Sequence, residues 1–210
     1  MRRTIYFISA LIFTVGLVSC KESIDYEWPD DDNGILNQVL VIHNTDGTEV
    51  KTKNKLSIGS EKAFPIGSVF VGGAIADPMK GSSHRCHFYK EAFTEGPRWD
   101  EVKEMIYISG FRHKGTEYTA PGQYIDLINI WLDPSMGYGE NMRIPMNQGE
   151  YEGGNELVKD VKINSYNFST YQADGYTVND DAKIDIRILL NDGTTLAILF
   201  AGKTPYDNYY

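Results

Sequence analysis

Cysteine is scarce in this chain: two residues in 210, Cys20 and Cys86. That excludes a disulfide-stapled scaffold and a four-cysteine zinc module. Positive charge is also in short supply, with 20 Lys+Arg against 29 Asp+Glu and a formal charge of -9. Proteins that coat nucleic acid need clustered cations to release counterions, so nucleic acid is not expected as a partner. Beyond Val18 no apolar run approaches the roughly 18 residues of a helical membrane span. A G-x-S-x-G elbow, a G-x-G-x-x-G turn, a Walker motif and a capped helical stripe are all missing, and no catalytic residue is assigned. What remains is 41% hydrophobic and 12% aromatic, too rich for wholesale disorder.

The opening MRRTIYFISALIFTVGLVSC has Arg2 and Arg3 ahead of an uncharged stretch, Thr4 to Val18. The stretch suits a signal-peptide core and is short for a bilayer span. It ends in Leu17-Val18-Ser19-Cys20, which resembles the bacterial lipoprotein box. That resemblance implies cleavage before Cys20 and acylation of its thiol and new amino group. Several acyl chains anchor a soluble domain where one would hold it only transiently. The chain from Cys20 onward has 18 basic and 29 acidic residues, a charge of -11. Lys21, where an Asp would retain such a lipoprotein at the inner membrane, implies the outer membrane. Residues 20–34 hold Glu22, Asp25, Glu27, Asp30, Asp31 and Asp32 and read as an extended acidic tether. Asp30, Asp32, Asn33 and Gly34 do not complete a calcium loop, because its twelfth position falls on Val41.

From residue 35 to 210 the pattern predicts a single all-β domain, either an antiparallel β-sandwich or a lipocalin-like β-barrel of about nine strands. Residues 182–190 alternate Ile184, Ile186, Ile188 and Leu190 with Lys183, Asp185 and Arg187, the period of a half-buried strand. The hydrophobic pattern also selects the following turn. A two-residue loop at Asp192-Gly193 sets Arg187 opposite Ile198. A three-residue loop at 191–193 stacks Ile188 on Leu196, Ile186 on Ile198 and Ile184 on Phe200, with Gly193 left-handed. Further strands are expected over 36–43, 68–76, 87–93, 102–111, 123–132, 161–171 and 175–178. Gly72 and Gly73 suggest a bulge or a close backbone approach in the second of these. The segment 123–132, apolar on both faces, is the expected central strand. Residues 133–156 form a long Gly-rich connection that is either functional or hides a short strand near 142–144.

His84-Arg85-Cys86-His87 is the only dense cluster of potential metal ligands. On a strand His84 and Cys86 share a face while His87 points away, so no metal site is assigned. As a nucleophile Cys86 would need a base and a lowered pKa, and nothing orients His84 or His87 for that. Carboxylates are too numerous for a glycosidase pair to be picked out. Aromatics are the stronger lead: 14 Tyr and 3 Trp are a heavy amphipathic load for an acidic domain. Tyr124, Trp131, Tyr138 and Tyr151, in or beside the long connection, are the candidate ligand-binding residues, for a glycan or a peptide.

With its lipobox, acidic leader and β body, the chain resembles the uncharacterised secreted lipoproteins of gut Bacteroidota. The resemblance implies an outer-membrane lipoprotein, facing the periplasm or the cell surface and held by lipid through Cys20. No cofactor is implied. The expected function is a lipid-anchored extracytoplasmic binding protein. A structural or adhesin-accessory component of a surface assembly is the second reading, and a hydrolytic enzyme with an unrecognised site the third.

Overall fold

A computed structural model describes residues 38–43, 50–51, 57–58, 61–77, 81–113, 115–132, 142–172 and 175–202. Cys20, the lipobox, the acidic tether and Tyr138 lie outside these residues. So does the start of the strand expected over 36–43.

The described residues are all-β, with no helix. Thirteen strand elements replace the nine expected: β1 (Gln38–His43), β2 (Val50–Lys51), β3 (Ser57–Ile58), β4 (Glu61–Pro65), β5 (Ser68–Asp77), β6 (Gly81–Tyr89), β7 (Met105–Arg112), β8 (Ile125–Trp131), β9 (Met142–Asn147), β10 (Glu150–Tyr151), β11 (Val158–Gln172), β12 (Gly175–Leu190) and β13 (Thr195–Gly202). One antiparallel sheet runs β11-β12-β13-β1-β4, a second runs β10-β9-β8-β7-β6-β5, and β2 pairs with β3 as a separate ribbon. Neither sheet closes on itself, so the architecture is a sandwich and not a barrel.

The β12–β13 hairpin has the register that its hydrophobic pattern requires. Ile188 pairs with Leu196, Ile186 with Ile198 and Ile184 with Phe200. Gly193 takes φ 89°, its N–H donates to the Leu190 carbonyl (3.0 Å), and the Asp192 carboxylate accepts the Thr194 N–H (2.9 Å). These isoleucines, with Leu40 and Ile42 of β1, form the inner face of the five-stranded sheet. Phe88, Cys86, Ile106, Ile108, Ile128, Ile130, Met142 and Ile144 form the facing layer. Phe88 meets Phe200 across the gap, ring centroids 5.3 Å apart. Fully burying a side chain of this size contributes about 1.5–3 kcal/mol, and this shared layer is what joins the sheets.

Several expectations need correction. Gly72 and Gly73 pair regularly with Arg85 and His84, and the irregularity in β5 comes later, between Ala74 and Asp77. The strand expected over 87–93 is instead Gly81–Tyr89, so the His-rich segment lies inside it. Gly175–Leu190 is one long strand, not two. In β8 a register shift lets Ser109 pair with Leu127 and Gly110 with Ile125, so Ile125 faces the core although Leu127 does not. Gly110 permits this arrangement: a Cβ there would lie 2.0 Å from the Tyr124 carbonyl oxygen, which accepts the Phe111 N–H at 3.1 Å. Strict alternation misses such a bulge. The short strand suspected within 133–156 is β9. It turns into β10 through Gln148 (φ 49°) and Gly149 (φ 85°), the paired positive angles of a tight hairpin.

Candidate functional site

The six-stranded sheet has two faces of different character. Rows such as Val71–Cys86–Ile108–Ile128–Ile144 cross five strands and face the core. The alternate rows therefore point outward. One is Phe70–His87–Tyr107–Asn129–Arg143 and its neighbour is Ser68–Tyr89–Met105–Trp131. Four aromatic rings and a histidine thus occupy the outward side of β5 to β8.

They pack as a second cluster, separate from the main core. Tyr89, Val102 and Met105 are its buried members, and Phe70, Phe93, Tyr107 and Trp131 are only partly buried. Tyr89 takes Phe70 edge-on at 5.7 Å and Phe93 edge-on at 5.5 Å, while His87 lies 4.7 Å from Tyr107. Phe93 and Val102 come from the connection between β6 and β7, which is pinned at both ends. The Ser68 hydroxyl donates to the Glu91 carbonyl (2.8 Å), and the Lys90 N–H to the Glu104 carbonyl (3.3 Å). Glu104 is buried and paired with the Lys90 ammonium. At the tip of the same connection Trp99 is 70% exposed, beside an Arg98–Glu101 ion pair at 2.9 Å.

Unmet polar atoms lie among these rings. His87 Nδ1 is 3.3 Å from the Tyr89 hydroxyl, but its Nε2 has no hydrogen-bond partner, and neither has Asn129 Oδ1. The two flank Tyr107 in one row. Burial, helped by the charge of Arg85, lowers the His87 pKa to about 4, so the imidazole is neutral at pH 7. Both atoms are shut off from solvent, and leaving a buried polar group unmet costs about 1–3 kcal/mol. The partly exposed aromatics Phe70, Tyr107 and Trp131 suit the ring faces of sugars or the side chains of a peptide.

Tyr138 lies outside the described residues, and the other three candidate residues do not converge. Trp131 lies on the outward face. Tyr124 stacks on His84 (4.3 Å, 20°), contacts Tyr166 at 5.2 Å, and donates its hydroxyl to the Tyr166 carbonyl at 3.4 Å on the inner side. Seven residues of strand separate it from Trp131, about 20 Å at the usual rise. Tyr151 is a loop staple: its hydroxyl lies 3.0 Å from the Asn155 carbonyl and 3.3 Å from that of Val158, and accepts the Asn155 N–H at 3.2 Å. Phe70, Tyr89 and Tyr107 were not anticipated. Each alternates properly within its own segment, but only the register of β5, β6 and β7 brings them together.

His84 and Cys86 share the inner face and His87 the outer, as strand geometry demands. Burial pushes the Cys86 thiol far above its ordinary pKa, so it stays protonated as a core residue and not a nucleophile. Among the described residues no group of three His, Cys, Asp or Glu side chains could hold a metal ion. No family model, no curated protein and no solved structure matches the chain.

Proposed function

We propose that this is a lipid-anchored extracytoplasmic binding protein whose ligand, a glycan or peptide, lies across the outward face of the six-stranded sheet. The reading is carried by one observation: Phe70, Tyr89, Tyr107 and Trp131 share that face, with three of the four partly exposed. A sheet face in contact with water ordinarily alternates to charged and polar side chains, and partly exposed aromatics are typical of recognition surfaces. Anchoring follows from Arg2, Arg3, the apolar run and Leu17-Val18-Ser19-Cys20, with acylated Cys20 in the outer membrane.

The test is a glycan and peptide array probed with the purified full chain and with Trp131→Ala. The expected result is selective capture by the wild type, weakened at least tenfold in the variant, the size typical of losing an aromatic anchor. A folded wild type that captures nothing, or a variant that captures equally well, overturns the reading. Palmitate labelling of growing cells checks the anchor: label should enter the wild type and be absent from Cys20→Ala.

A further inference from the structure

Among the described residues the two sheets have four edge strands, and three are guarded against pairing with another chain. β4 has Glu61, Lys62 and Pro65 in five residues. β10 is two residues long. β11 has Lys159, Asp160 and Lys162, and its pairing with β12 is broken by three irregularities. Charge, proline, shortness and bulges are the devices that blunt sheet edges. β5 has none of them over the seven residues from Ser68 to Ala74. From Ser68 to Ala76 it reads SVFVGGAIA, without a charge or a proline, and its register with β6 is unbroken from Ser68 to Ala74. Among the described residues β5 pairs only with β6, so alternate backbone N–H and C=O groups along its other side point away from the sheet.

We infer that β5 pairs antiparallel with β5 of a second copy of this chain, joining two six-stranded sheets into one of twelve about a two-fold axis at Val71. The sequence around that axis is self-complementary. With Val71 opposite its own copy, Phe70 stands across from Gly72 and Val69 across from Gly73. Residues 70 and 72 share the outward face and 69 and 73 the inward one, so each large side chain meets a position without one. A large residue beside a glycine on a neighbouring strand shields exposed backbone, a known way of stabilising strand pairs. A shift of the axis to Gly72 sets Phe70 opposite Ala74 and Val71 opposite Gly73, which loses the contact between Phe70 and glycine. An axis at Phe70 crowds the two phenylalanines together and leaves Gly72 facing Ser68. The interface is isologous, the commonest form of dimer, and a closed pair leaves no bare edge to propagate. It also brings Phe70, the last member of the outward aromatic row, beside the same row of the second copy.

The experiment uses the full chain in detergent, with mass measured by light scattering at micromolar concentration. The wild type should have twice the protein mass of one chain. Gly72→Lys, which puts a charge on the edge where Phe70 of the other copy would lie, should be monomeric with unchanged circular dichroism. For the register, Phe70→Cys and Gly72→Cys chains are mixed, oxidised and compared with each variant alone. A covalent dimer that forms chiefly in the mixture is expected, because 70 faces 72 and neither faces itself. Cys86 is buried and contributes nothing. A monomeric wild type overturns the inference, and so does a dimer that survives Gly72→Lys and gives no cross-link in the mixture.

Discussion

On the outward face of the five-stranded sheet one row reads Val41, Ala197, Arg187 and Lys162; on that of the six-stranded sheet the corresponding row reads Phe70, His87, Tyr107, Asn129 and Arg143. In the first, Val41 and Ala197 are fully buried, and buried Arg187 pairs with Asp185, Nε to Oδ1 at 2.6 Å. In the second, Phe70 and Tyr107 are only partly buried, and the buried atoms His87 Nε2 and Asn129 Oδ1 have no hydrogen-bond partner. The first face is internally compensated, aliphatic against aliphatic and cation against anion. The second leaves aromatic surface partly open above two buried polar atoms that nothing satisfies. Stability explains the first arrangement, and the second is the ground of the proposed binding role.

Changes that act on stability alone should separate from changes that act on the aromatic face. The largest effect belongs to neither face. Phe88→Ala removes the ring that meets Phe200 between the sheets, and chemical denaturation should show a loss of about 3–5 kcal/mol. Next is Asp185→Ala, which strips the carboxylate from Arg187; a loss of about 2 kcal/mol is expected, with no change in ligand capture. The remaining effect is on pH dependence. Burial lowers the pKa of both His84 and His87 from the ordinary 6.5 to about 4, with Arg112 and Arg85 adding to the respective shifts. Between those values the unfolded chain binds protons that the folded chain refuses, so stability falls as pH drops from about 6.5 to about 4. Denaturation midpoints across that window should show His87→Gln with a shallower fall than the wild type. Equal slopes would contradict the assignment.

Segments with strict alternation disclosed the fold readily. The period of two in 182–190 and the Asn191-Asp192-Gly193 turn determine both the strand and its register, because the three-residue loop stacks Ile188, Ile186 and Ile184 on Leu196, Ile198 and Phe200 and keeps Arg187 from facing Ile198. The opposite faces of His84 and His87 follow from the same period. Legibility failed where backbone geometry departed from the period. Ile125 lies inward only because β8 is irregular where Gly110 admits the Tyr124 carbonyl, and no residue pattern in 123–132 announces that. Val102 looked like part of a strand with Ile106 and Ile108, yet it belongs to a connection and packs on the outward aromatics. The candidate site was legible only at Trp131. Tyr124 and Tyr151 are near Trp131 or the long connection only along the chain, whereas the outward rows are assembled across strands from distant segments.

The most direct measurement compares the two outward faces in one assay. The affinity of the strongest glycan or peptide from the array is measured for the wild type, for Tyr107→Ala on the six-stranded sheet and for Lys162→Ala on the five-stranded sheet, all with native circular dichroism. A binding role for the aromatic face predicts at least a tenfold loss for Tyr107→Ala and an unchanged dissociation constant for Lys162→Ala. Equal affinities for all three, or a loss confined to Lys162→Ala, would contradict it.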